Sequence, residues 1–426
     1  MSVSLFQAAF ERAKALADCG NTSEALGKYR ALIFTFSEKD DPEESKWVEM
    51  AVSEMSSIMV NQKDQQSLAA MHKEFLPALV SLPRAKTAKI VRSLIDSLAK
   101  IPGSGALQVQ ACKDCISWCV EGKRAFLRQR MEAKLASLYI AQSKAPAALE
   151  LLSNLTIEVR KMDDKVLLVE LLVLETRAQF ALRNIAKAKA SLTAAKANAN
   201  AIHCPVSLQA DIDMLSGVLN AREGDFKTSY SYFYEAFEAL NQLGDKHRSL
   251  NTLCYMSLTK IMADLPAEAI LIASSKNGLK FAGPELSALT EVAKSLKQRS
   301  LKDFEAVIQK HSTYLSSDPV IAYHLTDLNE RLLEQNLLKL IEPYSRVEIA
   351  YLAHLINLSI DRVQRKLSEL ILDGKLTATL DQGVGVLILF EKNSEEVAIY
   401  DDVITCIENT SQALDSLYVK SHKLVA

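Results

Sequence analysis

Apolar residues recur at spacings of three and four over most of this chain, and this periodicity predicts α-helices. The clearest stretch lies near the end of the chain and contains Tyr400, Val403, Ile407, Thr410, Leu414 and Leu417. These positions form one apolar seam along a helix, as in a coiled coil. Because the seam covers fewer than three heptads, we expect the helix to join a multi-helix bundle and not to stand alone.

A repeat of about 40 residues begins near residue 106. Three stretches each place a small residue shortly before a larger one, and the larger residues Tyr139, Phe180 and Leu219 are 41 and 39 residues apart. A short turn follows each stretch, and a second helix is expected to begin near Pro146, Ile185 and Phe226. One helix pair cannot bury its apolar face alone, so the pairs must stack as a solenoid of the tetratricopeptide-like kind.

The last hundred residues have a different pattern. A long helix is predicted from Pro319 to about residue 341, and Ser345 with Glu348 forms a capping box, which predicts a helix beginning there. Another helix is expected from Ser359 through residue 372, closed by Gly374.

Two short apolar strands follow, at residues 376–380 and 386–390, joined by a turn that contains Gly383 and Gly385. Helices followed by such a hairpin form a winged-helix arrangement. The predicted fold is therefore all-α: a right-handed helical-repeat solenoid, a winged-helix module with a small β-hairpin, and a C-terminal helix. The expected domains are residues 1–315, 316–393 and 394–426.

Composition supports a helical, soluble chain. Only 13 glycines and 10 prolines occur in 426 residues, and 49% hydrophobic with 24% charged residues is typical of folded proteins. The formal net charge of −2 argues against a main role in binding nucleic acid, which needs a basic surface. No apolar run approaches the roughly 20 residues that span a bilayer, and the start is not typical of a signal peptide. We expect a protein of the cytoplasm and nucleus.

The sequence contains few candidates for chemistry. Cys112, Cys115 and Cys119 share one helix face but lack the second pair that a structural zinc site uses, so we interpret them as core residues. His203 and Cys204 are adjacent, which seldom lets a base activate a nucleophile. No phosphate-binding loop and no His-Glu-x-x-His motif occurs. We therefore expect no catalytic, cofactor-binding or metal-binding residues, and no enzyme.

The aromatic run at residues 230–237 has helical spacing, which favours core packing over a ligand cage. The helix beginning at Ser359 carries Arg362, Arg365 and Lys366, and in a DNA-binding winged helix it would enter the major groove. Acidic residues dilute its charge, so a protein-binding or solvated face is the preferred interpretation, with nucleic-acid binding as the alternative.

A helical solenoid that runs into a winged helix is the layout of the PCI family, and this chain resembles the proteasome-lid members of that family. The resemblance is carried by residues 161–165, 230–237, 333–337, 341–347 and 381–388. It implies a scaffold subunit of the 26S proteasome regulatory particle, acting in ubiquitin-dependent protein degradation. It also implies three kinds of partner: other lid subunits, the ATPase ring and the α subunits of the core particle.

The lid also contains a metal-dependent deubiquitinase, but no two of the seven histidines here form its His-x-His pair. The residues expected to contact partners are those of the second hairpin strand and of the apolar seam: Val386, Ile388, Phe390, Tyr400, Val403, Ile407, Leu414 and Leu417. Two alternatives stay open, a scaffold subunit of the COP9 signalosome type and a nucleic-acid-associated PCI protein.

Overall fold

The structure of the chain is a computed structural model. It describes residues 5–19, 21–35, 45–62, 64–78, 83–281, 283–298, 301–316, 318–356, 358–381, 383–390 and 394–425. The chain forms two compact units, Met1–Thr259 and Lys260–Ala426. The domain boundaries expected near residues 315 and 393 stay predictions.

In unit 1 the described residues form thirteen helices, the last of which continues into unit 2. They are α1 (Leu5–Asp18), α2 (Thr22–Thr35), α3 (Ser45–Gln62), α4 (Gln65–Ala78), α5 (Arg84–Ala99), α6 (Gly105–Glu121), α7 (Ala125–Ala141), α8 (Ala145–Met162), α9 (Lys165–Ala181), α10 (Ile185–Asn200), α11 (Val206–Glu223), α12 (Phe226–Leu243) and α13 (Lys246–Met262).

In unit 2 the described residues add nine helices and three strands. They are α14 (Pro266–Ser274), α15 (Lys276–Lys280), α16 (Pro284–Gln298), α17 (Leu301–Lys310), α18 (Ser312–Leu315), α19 (Pro319–Ile341), β1 (Arg346–Glu348), α20 (Ile349–Ile356), α21 (Ile360–Leu372), β2 (Ala378–Asp381), β3 (Val386–Leu389) and α22 (Ser394–Val425).

The helix pairs of unit 1 confirm the predicted repeat. Helices α7, α9, α11 and α13 begin at residues 125, 165, 206 and 246, so successive repeats are 40 or 41 residues apart. The second helices begin at Ile185 and Phe226 as predicted, and the other begins at Ala145, one residue before Pro146. The small positions serve close packing, since Ala136 and Ala178 are fully buried.

The turns between these helices share one backbone conformation. Ser143 and Arg183 adopt positive φ values of 61° and 60°, and Gly224 does so at 89°. This left-handed residue lets the next N–H reach back to the preceding helix: Lys144 N–H donates to the Tyr139 carbonyl at 2.8 Å. Carbonyls at each helix end are thereby satisfied, and the chain reverses within two or three residues.

Unit 2 contains a three-stranded antiparallel sheet in the order β1-β3-β2. The expected hairpin is present as β2 and β3, and Gly374 follows α21 with a φ of +69°, as predicted for a residue just past a helix end. The predicted end points of α19 are also confirmed, and the Asp318 carboxylate caps its start by accepting from Val320 N–H at 2.9 Å.

The predicted capping box at Ser345 is wrong. Residues 346–348 form strand β1, in which Val347 pairs with Leu387 of β3, and α20 begins only at Ile349. Val347 is buried while its two neighbours are exposed, which is the alternation of a half-buried strand. The carbonyl of Ser345 accepts from Leu389 N–H at 2.9 Å, so this segment is held by the sheet and not by a helix turn.

Candidate interaction surfaces

The three clustered cysteines of α6 are core residues, as predicted. Cys112, Cys115 and Cys119 are buried, and the Sγ atoms of Cys115 and Cys119 are 3.9 Å apart. Burial raises the pKa of the Cys112 thiol to about 11, which keeps it protonated and a poor metal ligand or nucleophile. Within the described parts of the chain, no group of three or more His, Cys, Asp or Glu side chains could hold a metal ion.

The pair His203 and Cys204 does not have the properties of a nucleophile with its base. His203 is exposed and Cys204 is half-buried in the link before α11. Burial raises the pKa of the Cys204 thiol, and the nearby carboxylates of Asp213 and Glu170 raise it further. A thiol in this environment is a weaker nucleophile than a free cysteine at neutral pH.

The aromatic run of α12 packs in the core, as its spacing predicted. Phe233 and Phe237 are buried, and the Phe233 ring lies 5.3 Å from that of Tyr255. Tyr234 projects outward from the same helix. The run is therefore a packing face with one exposed tyrosine.

The winged-helix face of α21 presents less positive charge than its sequence indicates. The Nζ atom of Lys366 is 3.0–3.1 Å from carboxylates of Glu330, Glu334 and Glu369, and the lysine is buried. Burial lowers the pKa of Lys366, but the three carboxylates outweigh it and raise the pKa. Lys366 is therefore a charged tie between α21 and α19, and it is not available to a phosphate backbone.

Two of the expected partner residues of the hairpin, Val386 and Ile388, lie on the central strand β3, and Phe390 directly follows that strand. Val386 is 5% exposed and packs inside unit 2, whereas Ile388 and Phe390 are 40% and 58% exposed. The free backbone edge of the hairpin belongs to β2, since β3 is paired on both sides. Only Ile388 and Phe390 of this predicted set can reach a partner in this arrangement.

The seam of α22 is uncovered along its described length. The side chains of this set are each at least 49% exposed: Tyr400, Val403, Ile407, Leu414 and Leu417. Ile399, Ile404 and Tyr418 widen the apolar surface and are also exposed. Isolated apolar side chains on a surface are ordinary, whereas these form a continuous stripe, and their role in binding a partner stays a prediction. None of the described helices is long and apolar enough to cross a membrane.

A cleft of unit 1 has a charge arrangement that sequence reasoning missed. It has a volume of about 300 Å³ and is lined by α5, α7, α9 and α11. Ion pairs link these helices: Lys134 with Asp96 at 2.8 Å, and Arg177 with Asp211 at 2.8 Å. Arg248 of α13 shares the Asp211 carboxylate. The sequence signal for the cleft is a charged residue at the same position of α7, α9 and α11.

Both ends of the chain match known families. A model described as the 26S proteasome regulatory subunit RPN6 N-terminal domain matches residues 6–142, and a model described as the PCI domain matches residues 308–391. The 26S proteasome non-ATPase regulatory subunit 11 homolog of Arabidopsis thaliana is 45% identical over 408 residues, covering 95% of this chain and 96% of the relative.

Two fungal relatives extend this similarity. The probable 26S proteasome regulatory subunit rpn6 of Schizosaccharomyces pombe is 40% identical, with 92% of this chain and 93% of the relative covered. The 26S proteasome regulatory subunit RPN6 of Saccharomyces cerevisiae is 33% identical, with 88% and 87% covered. At this identity and coverage, the chain belongs to the family that comprises 26S proteasome regulatory subunit RPN6 and non-ATPase regulatory subunit 11.

Proposed function

We propose that this chain is a scaffold subunit of the lid of the 26S proteasome regulatory particle, serving ubiquitin-dependent protein degradation in the cytoplasm and nucleus. The observation that carries the proposal is similarity along nearly the whole chain to relatives named as proteasome regulatory subunits. The same similarity favours the proteasome lid over the COP9 signalosome alternative. We also propose that the chain has no catalytic activity of its own, because its relatives are named as regulatory subunits.

The repeats of unit 1 suit a bracing role. Stacked helix pairs behave as a stiff rod, because each repeat is held by its neighbours. Ion pairs join α5 to α7, α9 to α11, and α11 to α13, and they add further links along this stack. We propose that the solenoid of unit 1 is the arm of the subunit, and that this arm contacts the ATPase ring and the α subunits of the core particle.

The sheet of unit 2 suits contact with a neighbouring lid subunit. Strand β2 has an unpaired edge that a strand of a neighbour could extend, and Ile388 on the adjacent strand β3 and Phe390 just after it are exposed. The buried Lys366 network disfavours the nucleic-acid alternative, since it removes one cation from the face that would meet phosphates.

The apolar seam of α22 suits a shared helical bundle. Helices with an apolar stripe become stable when other helices cover that stripe. We propose that the helices of other lid subunits cover Tyr400, Val403, Ile407, Leu414 and Leu417.

The test is incorporation into the lid. A chain truncated after Ser394 should keep unit 1 folded but fail to co-sediment with the other lid subunits. The double variant Ile407→Asp, Leu414→Asp should show the same loss, because it places charges in the seam. The matched control is Gln412→Asp, which adds a charge on the opposite face of α22 and should assemble normally. Normal co-sedimentation of the truncated chain would contradict the proposal.

Affinity purification followed by mass spectrometry separates the remaining alternatives. Recovery of proteasome subunits supports the proposal, and recovery of signalosome subunits in their place would replace it. Salt-dependent binding of RNA or DNA by the purified chain, without recovery of proteasome subunits, would favour the nucleic-acid-associated alternative.

A further inference from the structure

The cleft of unit 1 has an apolar floor and a charged rim. Ile95, Met131 and Val173 form part of the floor and are buried in the core between the helices. The volume of about 300 Å³ is enough for two or three side chains of a bound segment, and is at the lower end of the range for ligand pockets. The cleft therefore combines a surface for apolar side chains with groups that select charge.

Most charges of the rim already have partners. Lys134 is paired with Asp96, and Arg177 is paired with Asp211. The remaining cations of the lining are Arg92 of α5 and Arg130 of α7, and the remaining acid is Glu170 of α9.

Neither of these two arginines makes an ion pair with any residue in the described parts of the chain. Arg92 only donates from Nε to the carbonyl of Ala88 in its own helix, at 3.4 Å. Two guanidinium groups therefore share the cleft with one free carboxylate, that of Glu170.

Glu170 is electrostatically connected to both arginines. Burial raises the pKa of its carboxyl, and the positive charges of Arg130 and Arg92 act in the opposite direction. Glu170 therefore sits near both guanidinium groups but balances only one of them. The cleft has one positive charge in excess, with Arg130 half-buried and Arg92 exposed at its rim.

We propose that this cleft binds an extended acidic peptide segment, with a carboxylate held by Arg92 and Arg130 and an adjacent apolar side chain on the floor. A guanidinium group binds a planar carboxylate through two parallel hydrogen bonds, and two such groups on neighbouring helices fix its position. The inference goes beyond the lid-scaffold role, because it assigns a second binding surface within the arm.

A peptide fits the cleft better than a nucleic acid does. Sites for single-stranded nucleic acid combine a basic groove with aromatic rings on which bases stack, and the lining of this cleft has no aromatic residue among the described ones. The apolar floor matches side chains such as leucine instead.

The test uses the full chain and a fluorescein-labelled peptide, Asp-Leu-Glu-Asp-Leu-Glu-Asp-Leu-Glu, in fluorescence anisotropy at about 50 mM NaCl. Arg130→Gln and Arg92→Gln should each weaken binding by about tenfold, as expected for loss of a charge-assisted hydrogen bond. Glu170→Gln should strengthen binding several-fold, because it removes the carboxylate that competes for the guanidinium groups. Arg160→Gln, a matched charge change at an exposed position of α8, should leave binding unchanged.

Several results would overturn the proposal. They are no binding of the acidic peptide, equal binding by the Arg130→Gln chain, equal binding of a peptide with lysine at every acidic position, and displacement of the acidic peptide by an equal concentration of oligouridylate. Circular dichroism checks that each variant is folded. If Arg130→Gln does not fold, the exposed Arg92 and the gain expected for Glu170→Gln decide the outcome. Lid incorporation of the same variants should stay normal, which separates this proposal from the lid-scaffold role.

Discussion

Gly217 of α11 lies directly against the ring of Phe233 of α12, so that a Cβ atom at position 217 would be 2.6 Å from Cε1 of that ring. The carbonyl of Gly217 accepts a hydrogen bond from Ser229 Oγ at 2.7 Å, which holds the two backbones together. Phe233 is fully buried, so a shift of its ring would have to displace other core side chains. The close approach of the two helices of this repeat therefore depends on the missing side chain.

Gly217→Ala is expected to destabilise this repeat by about 1–2 kcal/mol, because overpacking costs more than the alanine gains in helix propensity. Hydrogen exchange of the α11 and α12 amides in the full chain measures this locally. The matched control is Gly27→Ala in the interior of α2, where nothing lies within 4 Å of an added Cβ. That change should slow exchange slightly. Unchanged exchange in Gly217→Ala would contradict the close packing.

The repeat could be predicted from sequence because its signals are local. Turns, small residues and helix starts at Ile185 and Phe226 are all read from a window of a few residues. The segment at Ser345 shows the opposite case: its capping-box letters are local, but its structure is fixed by pairing of Val347 with Leu387, 40 residues away. Local propensity is overridden where a strand can complete a sheet.

The candidate surfaces show the same contrast between local sequence signals and tertiary packing. The seam of α22 was predictable, since periodicity alone puts its apolar residues on one face. The cleft was not, because Arg92 and Arg130 are far apart in sequence and lie on different helices. Which cations of a chain stay unpaired depends on tertiary packing, as the burial of Lys366 among three carboxylates also shows.

The left-handed turns predict a stabilising change. Arg183 has a φ of 60°, which costs a residue with a side chain about 1–2 kcal/mol, while glycine adopts this conformation freely. Arg183→Gly should therefore raise the free energy of unfolding of this region by about 0.5–1 kcal/mol, after the larger entropy of the unfolded glycine chain is subtracted. Hydrogen exchange of α9 and α10 measures the gain.

The opposite substitution is the control for the turn argument. Gly224 has a φ of 89° and open space around it, so Gly224→Ala introduces only backbone strain. It should destabilise the α11–α12 turn by about 1 kcal/mol. If both substitutions change stability in the same direction, the explanation by backbone conformation is wrong.

Asp213 predicts a pH dependence. Asp213 is 5% exposed, and its carboxylate accepts from Gln209 Nε2 at 3.1 and 3.2 Å. Burial raises its pKa from 3.8 to about 6, despite the hydrogen bond from Gln209, which lowers it. The folded state therefore holds this proton more tightly than the unfolded state. The contribution of the protonated Asp213 carboxyl to the free energy of unfolding is complete below pH 4. This contribution is lost as the pH rises to about 6.

At pH 7.5 the charge of Asp213 is buried at a cost, so Asp213→Asn should stabilise unit 1 by about 1–2 kcal/mol. Asparagine keeps an oxygen that can accept from Gln209. Hydrogen exchange of α11 at pH 7.5 and at pH 5 should show a gain that shrinks at the lower pH. Glu150→Gln, at an exposed position of α8, is the matched control and should change neither value. A gain that is equal at both pH values would contradict the assignment to Asp213.

The Lys366 network predicts a loss of stability in unit 2 when the lysine is replaced. Burial raises the pKa of Glu334, but the hydrogen bonds from Lys375 and Lys366 have the larger effect and lower it. The Glu334 carboxylate and the Lys366 ammonium group therefore both stay charged at neutral pH. Lys366→Met removes one partner and leaves Glu334 half-buried with a single cation. We expect a loss of about 2–3 kcal/mol, less than for a fully buried pair because Glu330 and Glu369 remain in water. Faster hydrogen exchange in α19 and α21 measures this loss.

Lys339→Met replaces an exposed lysine of α19 and is the control, so it should change exchange little. Equal effects of the two substitutions would show that the ion pairs contribute nothing to the joint between α19 and α21.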